Sequence, residues 1–156
     1  MRVIKKYQKA AGFTIVELLI VIVVIGILAA ITIVAYSGIQ EKAKVTEANS
    51  DLSQLSKAIQ IARLSTNQTL LQITGTGCTS CTDPDGTRMV LALTKIATAA
   101  NTNLDGLKAG DPWGNFYRMD ENEGENGSCA NRDSIGQTVS RSGVSGIAIP
   151  FFYCPL

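Results

Sequence analysis

The distribution of hydrophobic residues changes once along the N-terminal part of the chain, near Tyr36. Residues 13–36 are apolar on every side of a helix and rich in Val, Ile and Leu, which is typical of a helix surrounded by lipid or by other apolar helices. Beyond Tyr36 the apolar residues recur every three or four positions, and polar residues such as Arg63 lie between them. The repeating apolar positions are Ala48, Leu52, Leu55, Ile59 and Ala62. We therefore predict one long helix over 13–64, transmembrane at first and then amphipathic.

Residues 65–156 are predicted to form a globular head. Small and polar residues over 65–88, with Pro84, favour a loop, and the apolar run 89–100 favours a short helix. A turn containing Pro112 leads into an aromatic strand over 115–120, and further strands are expected over 135–140 and 145–152. The fold class is therefore α+β, in which the long helix packs against a small antiparallel sheet.

The charges before the apolar segment predict its orientation in a membrane. Four basic residues and no acidic residue precede it, which favours a cytoplasmic N-terminus; they are Arg2, Lys5, Lys6 and Lys9. Roughly 20 apolar residues span about 30 Å as a helix, enough to cross the hydrocarbon core, whereas a cleaved signal has about 7–15. We expect a membrane anchor and an exported head, and a cleaved secretory signal is the alternative.

The composition argues against an enzyme. The 156 residues include no histidine, which removes the commonest general base and transition-metal ligand. The net charge of +1 gives no indication of nucleic acid as a partner, although it does not exclude one. We therefore expect a non-catalytic protein without a cofactor and assign no metal site.

Four cysteines lie on the predicted exported side, where disulfides can form. Four cysteines allow three pairings. We favour Cys129 with Cys154, which closes the longer and more stabilising loop, and Cys78 with Cys81. A zinc site is the alternative, but such sites usually contain two closely spaced cysteine pairs.

One acidic residue, Glu17, interrupts the uncharged stretch that follows Gly12. A carboxylate in the middle of a membrane helix costs up to about 2.5–3.5 kcal/mol on insertion scales, so we expect Glu17 to have a cationic partner. A positive charge on another chain would serve this purpose. The alternative is that the Glu17 side chain extends to the polar surface of the membrane and needs no cationic partner.

The segment around this glutamate, Ala-Gly-Phe-Thr-Ile-Val-Glu-Leu-Leu-Ile at residues 11–20, resembles the N-terminal signal of type IV pilins. The resemblance implies a basic leader over 1–12, cleavage between Gly12 and Phe13 by a prepilin peptidase, and methylation of the Phe13 amine. It also implies that Glu17 neutralises the N-terminus of an adjacent subunit. On this basis the chain would join a helical homo-oligomer with the help of inner-membrane assembly machinery.

Two features of the head bear on the kind of filament. The Asp-Pro-Trp-Gly run at 111–114 resembles heads of type II secretion pseudopilins, which often hold calcium in the following loop, and the acidic residues at 120–126 could supply oxygen ligands. Cys129 and Cys154 instead resemble the disulfide-bounded surface loop of many pilins. One departure from pilins is Val34, where many members have proline, so we expect no break of the helix there.

Three functions remain open from the sequence. The first is a type IV pilus subunit at the cell surface, serving adhesion, twitching motility or DNA uptake. The second is a pseudopilin of a type II secretion system. The third is a membrane-anchored binding domain that does not polymerise. The sequence favours the first.

Overall fold

The computed structural model describes residues 12–75, 78, 83, 85–123 and 130–152. The chain divides into two compact units, one ending at Glu41 and one beginning at Lys42. The long helix α1 (Ile15–Thr66) begins in the first unit and ends in the second. It is unbroken at residue 34, as expected for a helix that lacks proline there.

The second unit contains three further helices and one sheet among its described residues. The helices are α2 (Leu70–Thr74), α3 (Thr87–Ala100) and α4 (Asp105–Lys108). The strands are β1 (Tyr117–Asp120), β2 (Ser134–Gln137) and β3 (Ile147–Ala148), antiparallel in the order β1-β2-β3. The predicted α+β class and the three predicted strand regions are confirmed, although each strand is shorter than predicted.

The core of this unit lies between the C-terminal half of α1, helix α3 and one face of the sheet. All five periodic positions of α1 are buried, as the sequence pattern predicts. Helix α3 contributes Leu93 and Ile96 to this core, and Met119 pairs with Ile135 across β1 and β2. Because paired residues in antiparallel strands share one face, this pair places the inner face of the sheet against the helices.

Helix α2 is a feature that the sequence analysis missed. The Thr69 hydroxyl accepts a hydrogen bond from the Gln72 N–H at 3.3 Å, and the Gln72 side chain accepts one from the Thr69 N–H at 2.9 Å. This reciprocal arrangement is a capping box, for which the sequence signature is Thr-x-x-Gln. The signature was therefore available in the sequence, within a stretch predicted as loop.

The Asp-Pro-Trp-Gly turn is organised by the carboxylate of Asp111, which is buried. This carboxylate accepts hydrogen bonds from the N–H groups of Trp113 at 3.0 Å and Asn115 at 2.8 Å, and from the Gln137 amide at 2.8 Å. Gly110 precedes it at φ +97°, and a Cβ there would lie 2.5 Å from the Asn115 carbonyl oxygen. The turn therefore needs both the acid and the glycine, and it connects the start of β1 to the end of β2.

A hydrogen bond joins α1 to the sheet. The Tyr117 hydroxyl donates to the Asp51 carboxylate at 2.6 Å. Burial, followed by the bond to Asp51, raises the pKa of the Tyr117 phenol, so the hydroxyl remains a donor at neutral pH.

We expect Tyr117→Phe to destabilise the second unit by about 2 kcal/mol, because the ring still fills the core but the hydrogen bond to a charged acceptor is lost. Tyr36→Phe is the matched control, since Tyr36 is exposed and should show no change. Thermal unfolding of the full chain in detergent measures both. Equal melting temperatures for the wild type and Tyr117→Phe would contradict the prediction.

Candidate assembly site

The apolar part of α1 is exposed along its length in this structure. Phe13 is 83% and Ile15 84% exposed, and the large apolar side chains through Ile33 that follow remain about half exposed or more. By length and composition the helix is able to cross a membrane. An apolar surface of this extent requires lipid or other chains to cover it. This surface is therefore the first element of the candidate site.

The second element is the start of the helix, where Thr14 and Glu17 bond to each other. The Glu17 carboxylate accepts hydrogen bonds from the Thr14 N–H at 2.8 Å and from the Thr14 hydroxyl at 2.7 Å. The Glu17 N–H in turn donates to the Thr14 hydroxyl oxygen at 3.2 Å. This is a capping box, and it places a carboxylate at the positive end of the helix. Sequence reasoning missed it, although Thr-x-x-Glu is its signature.

The capping box changes the interpretation of Glu17 in one respect. The sequence predicted a positive charge on another chain as the partner of Glu17, and the structure shows that Thr14, three residues away on the same chain, is already a hydrogen-bond partner. Neutral donors satisfy the carboxylate's hydrogen bonds without cancelling its charge. A cation from a neighbouring chain would therefore add neutralisation that the cap does not supply.

The third element is the bond between Gly12 and Phe13, which lies just before the helix. Gly12, Phe13 and Thr14 have no helical structure and are exposed. Among the described residues, and apart from its chain neighbours, no atom lies within 4 Å of the position that a Cβ on Gly12 would take. The predicted cleavage point is thus accessible within the described residues. The rest of the predicted leader lies outside them.

A second group of charged residues lies in the head, around Arg63. The pattern along α1 places Arg63 among the polar residues of the helix, but its side chain is only 2% exposed. Its guanidinium bonds to the carboxylate of Asp133, forms an ion pair with Glu123 at 3.3 Å, and donates to the Pro150 carbonyl at 2.8 Å. The amphipathic pattern alone would direct this residue towards solvent, but the structure buries it.

The two carboxylates are bound to the backbone as well as to the arginine. Asp133 accepts from the Glu123 N–H at 2.6 Å, and Glu123 accepts from the Phe152 N–H at 2.7 Å. Burial raises the pKa of the Asp133 carboxyl, and the Glu123 N–H donor and the charge of Arg63 oppose this effect only in part. The cluster joins α1 to the segment after β1, the start of β2 and the segment after β3.

Two acidic residues of the stretch 120–126 have side chains that bond within the protein. Glu121 is buried and accepts a hydrogen bond from the Thr74 hydroxyl at 3.0 Å, and Glu123 is committed to Arg63 and Phe152. Among the described residues, no group of three or more potential metal ligands was found. Glu125 and Asn126 lie outside the described residues.

Of the four cysteines in the two predicted disulfides, one lies within the described residues. Cys78 is within the described residues and is not a free thiol. Cys81, Cys129 and Cys154 lie outside the described residues. The two pairings therefore stay predictions.

Comparison with known proteins agrees with the N-terminal geometry. A family model described as the prokaryotic N-terminal methylation motif matches residues 7–33. The chain is also 35% identical to the type II secretion system core protein G of Escherichia coli (strain K12), over 77% of each chain. The chain belongs to the type IV pilin-like family. Its resemblance to pilins, inferred from residues 11–20, is thereby confirmed.

Two further relatives of this pilin-like chain represent both branches considered above. The type II secretion system core protein G of Aeromonas hydrophila is 30% identical over 72% of this chain and 73% of its own length. A fimbrial protein of Pseudomonas aeruginosa is 48% identical over 38% of this chain and 37% of its own length. No solved structure gives a significant match.

Proposed function

We propose that the protein is a non-catalytic structural subunit of a type IV pilus. In this proposal a prepilin peptidase removes residues 1–12, the new amine of Phe13 is methylated, and the exported chain polymerises through the apolar part of α1. Before assembly the same helix holds the subunit in the membrane, and after assembly the filament lies at the cell surface.

The observation that carries this proposal is the exposed apolar helix that begins immediately after an accessible Gly12–Phe13 bond. Transfer of this helix from lipid to an apolar filament core gives no hydrophobic gain, so specificity requires close packing and polar contacts. Gly26 and Ala29 permit close packing, and Glu17 supplies the charge. A binding domain with a simple anchor would not need a carboxylate there.

The choice of a pilus over a pseudopilus is supported by the head. In the described part of the acidic loop, Glu123 bonds to Arg63 and to a backbone N–H, so its charge is compensated by the protein itself. A head built around calcium would be expected to direct such carboxylates to the ion. One observation favours the pseudopilin alternative. The secretion-protein relatives align with about twice as much of this chain as the fimbrial protein does.

Imaging and fractionation of expressing cells distinguish the two filaments. A pilus subunit is expected in long fibres that shear from the cell surface, and the melting temperature of its head should not change when calcium is removed by a chelator. Subunits confined to the periplasm, together with a head that melts earlier after chelation, would contradict the pilus and support the pseudopilin.

A substitution at Gly12 tests the processing step. We expect Gly12→Val to leave the leader on nearly all of the protein, because a β-branched side chain next to the scissile bond hinders extended binding in a tight active site. Gly38→Val is the control, since Gly38 is exposed and, apart from its own helical turn, no described atom lies within 4 Å of its Cβ position. Immunoblots of precursor and mature forms measure the result. Normal processing of Gly12→Val would contradict the assignment of the cleavage site.

A further inference from the structure

A small polar pocket lies on the outer face of the sheet, opposite the core. In β1 the side chains of Tyr117 and Met119 are buried, and that of Arg118 between them is exposed. Alternation along a strand therefore directs Arg118 away from the core. Its side chain borders a pocket of about 170 Å³, whose other polar walls include Thr138 and Ser140.

Two glycines form the floor of this pocket. Gly136 pairs with Arg118 across the two strands, and a Cβ on Gly136 would lie 3.6 Å from the Arg118 Nε atom and 3.5 Å from the Gly146 Cα atom. These distances are ordinary contacts, so a side chain would fit here but would occupy the space under the guanidinium. Because glycine has no side chain, the space beneath the guanidinium stays open.

The charge in this pocket is not compensated by the described residues. None of their carboxylates lies within 4 Å of the Arg118 guanidinium, whereas Arg63 has two buried carboxylate partners. Arg132 and Arg141 stack on aromatic rings at 5.1 and 5.2 Å, and Arg118 makes no such contact within the described part. Within the described residues, the Arg118 guanidinium therefore has no carboxylate or aromatic partner and lies above the open space at the two glycines.

We propose that this pocket binds a single carboxylate group through the guanidinium of Arg118. The planar guanidinium offers parallel N–H donors that match the two oxygens of a carboxylate. The pocket volume of about 170 Å³ is several times the roughly 30 Å³ that one water molecule occupies in the liquid, which leaves room for a carboxylate and a short stem. The group is supplied either by an acidic side chain of another subunit or by a small free carboxylate.

The binding test uses the full chain in detergent and acetate as the probe, with chloride at equal ionic strength as the reference. We expect saturable shifts of the Arg118 side-chain and Gly136 backbone NMR signals, with a Kd in the millimolar range that suits so small a ligand. Arg118→Gln should abolish the Gly136 shift. Gly136→Ala should weaken binding about tenfold without a change of charge, because its methyl group occupies the floor.

Arg132→Gln is the matched control, since it removes an equal charge from an exposed arginine outside the pocket. It should bind acetate like the wild type. Acetate binding that survives Arg118→Gln, binding lost equally in Arg132→Gln, or the absence of a saturable shift in the wild type would each overturn the proposal.

Purified filaments distinguish the two sources of the carboxylate. If a neighbouring subunit supplies it, both acetate and Arg118→Gln lower the melting temperature of filaments. If the ligand is free, filament stability is unchanged by either, and acetate still shifts the pocket signals in filaments. Both results retain the carboxylate site. The acetate-binding test uses the full chain in detergent and needs no filament, so its outcome is separate from that of the proposed filament function.

Discussion

Glu17→Gln is expected to abolish filaments while leaving leader removal intact. The glutamine oxygen can still accept the two hydrogen bonds from Thr14, so the helix cap remains. The neighbouring amine would lose its counter-charge in an apolar filament core, which costs about 3–5 kcal/mol per subunit when one member of a buried pair is removed. Filament yield by shearing and electron microscopy, with an immunoblot for the mature form, measures both outcomes.

Thr14→Val is the matched control for this experiment. It removes the hydroxyl from the cap and keeps the charge of Glu17, so assembly should be reduced much less than in Glu17→Gln. The loss of one helix cap costs about 1 kcal/mol. Abundant filaments from Glu17→Gln, or equal losses in the two variants, would show that the charge of Glu17 is not what directs assembly.

Arg63→Met is expected to cause the largest loss of head stability, about 3–5 kcal/mol at neutral pH. The methionine fills much of the space, but the carboxylates of Glu123 and Asp133 then remain buried without a cation, and the Pro150 carbonyl loses its donor. Chemical unfolding of the full chain in detergent measures the effect. Lys57→Met, an exposed position on the same helix, should change stability by less than about 0.5 kcal/mol.

The pH dependence of Arg63→Met gives a second check. The pKa of the Asp133 carboxyl is already raised by burial, and loss of Arg63 removes a charge that opposes this effect. A raised pKa in the folded state means that the charged carboxyl destabilises the fold above that pKa and that the penalty is relieved as the pH falls through it. The defect of Arg63→Met should therefore shrink on acidification from pH 7 towards about 4, near the ordinary pKa of an aspartate. A defect that stays constant or grows over this range would argue against buried carboxylates as its cause.

The sequence predicted the parts of the fold that depend on periodicity. The change of pattern near Tyr36 and the repeat from Ala48 to Ala62 predicted the long helix, because a continuous apolar surface and a single buried stripe have different spacing. The structure has α1 from Ile15 to Thr66 rather than over 13–64. Each end is set by a local feature: Thr14 caps the start, and Asn67, at φ 53°, ends the helix in a left-handed conformation.

The buried arginine cluster could not be predicted in the same way. A periodic pattern counts Arg63 as polar and places it towards solvent, and nothing adjacent to it in the sequence indicates otherwise. Its partners Glu123, Asp133 and Pro150 are distant in sequence and are brought to it only by the tertiary fold. By contrast, the Thr14–Glu17 cap was readable from local spacing and was overlooked.

The N-terminus of the mature protein tests the central claim most directly. Sequencing and mass determination of protein from purified filaments should show a chain that starts at Phe13 with a methylated amine. A chain that retains Met1 to Gly12, or one that is cut elsewhere, would contradict the account of a processed filament subunit.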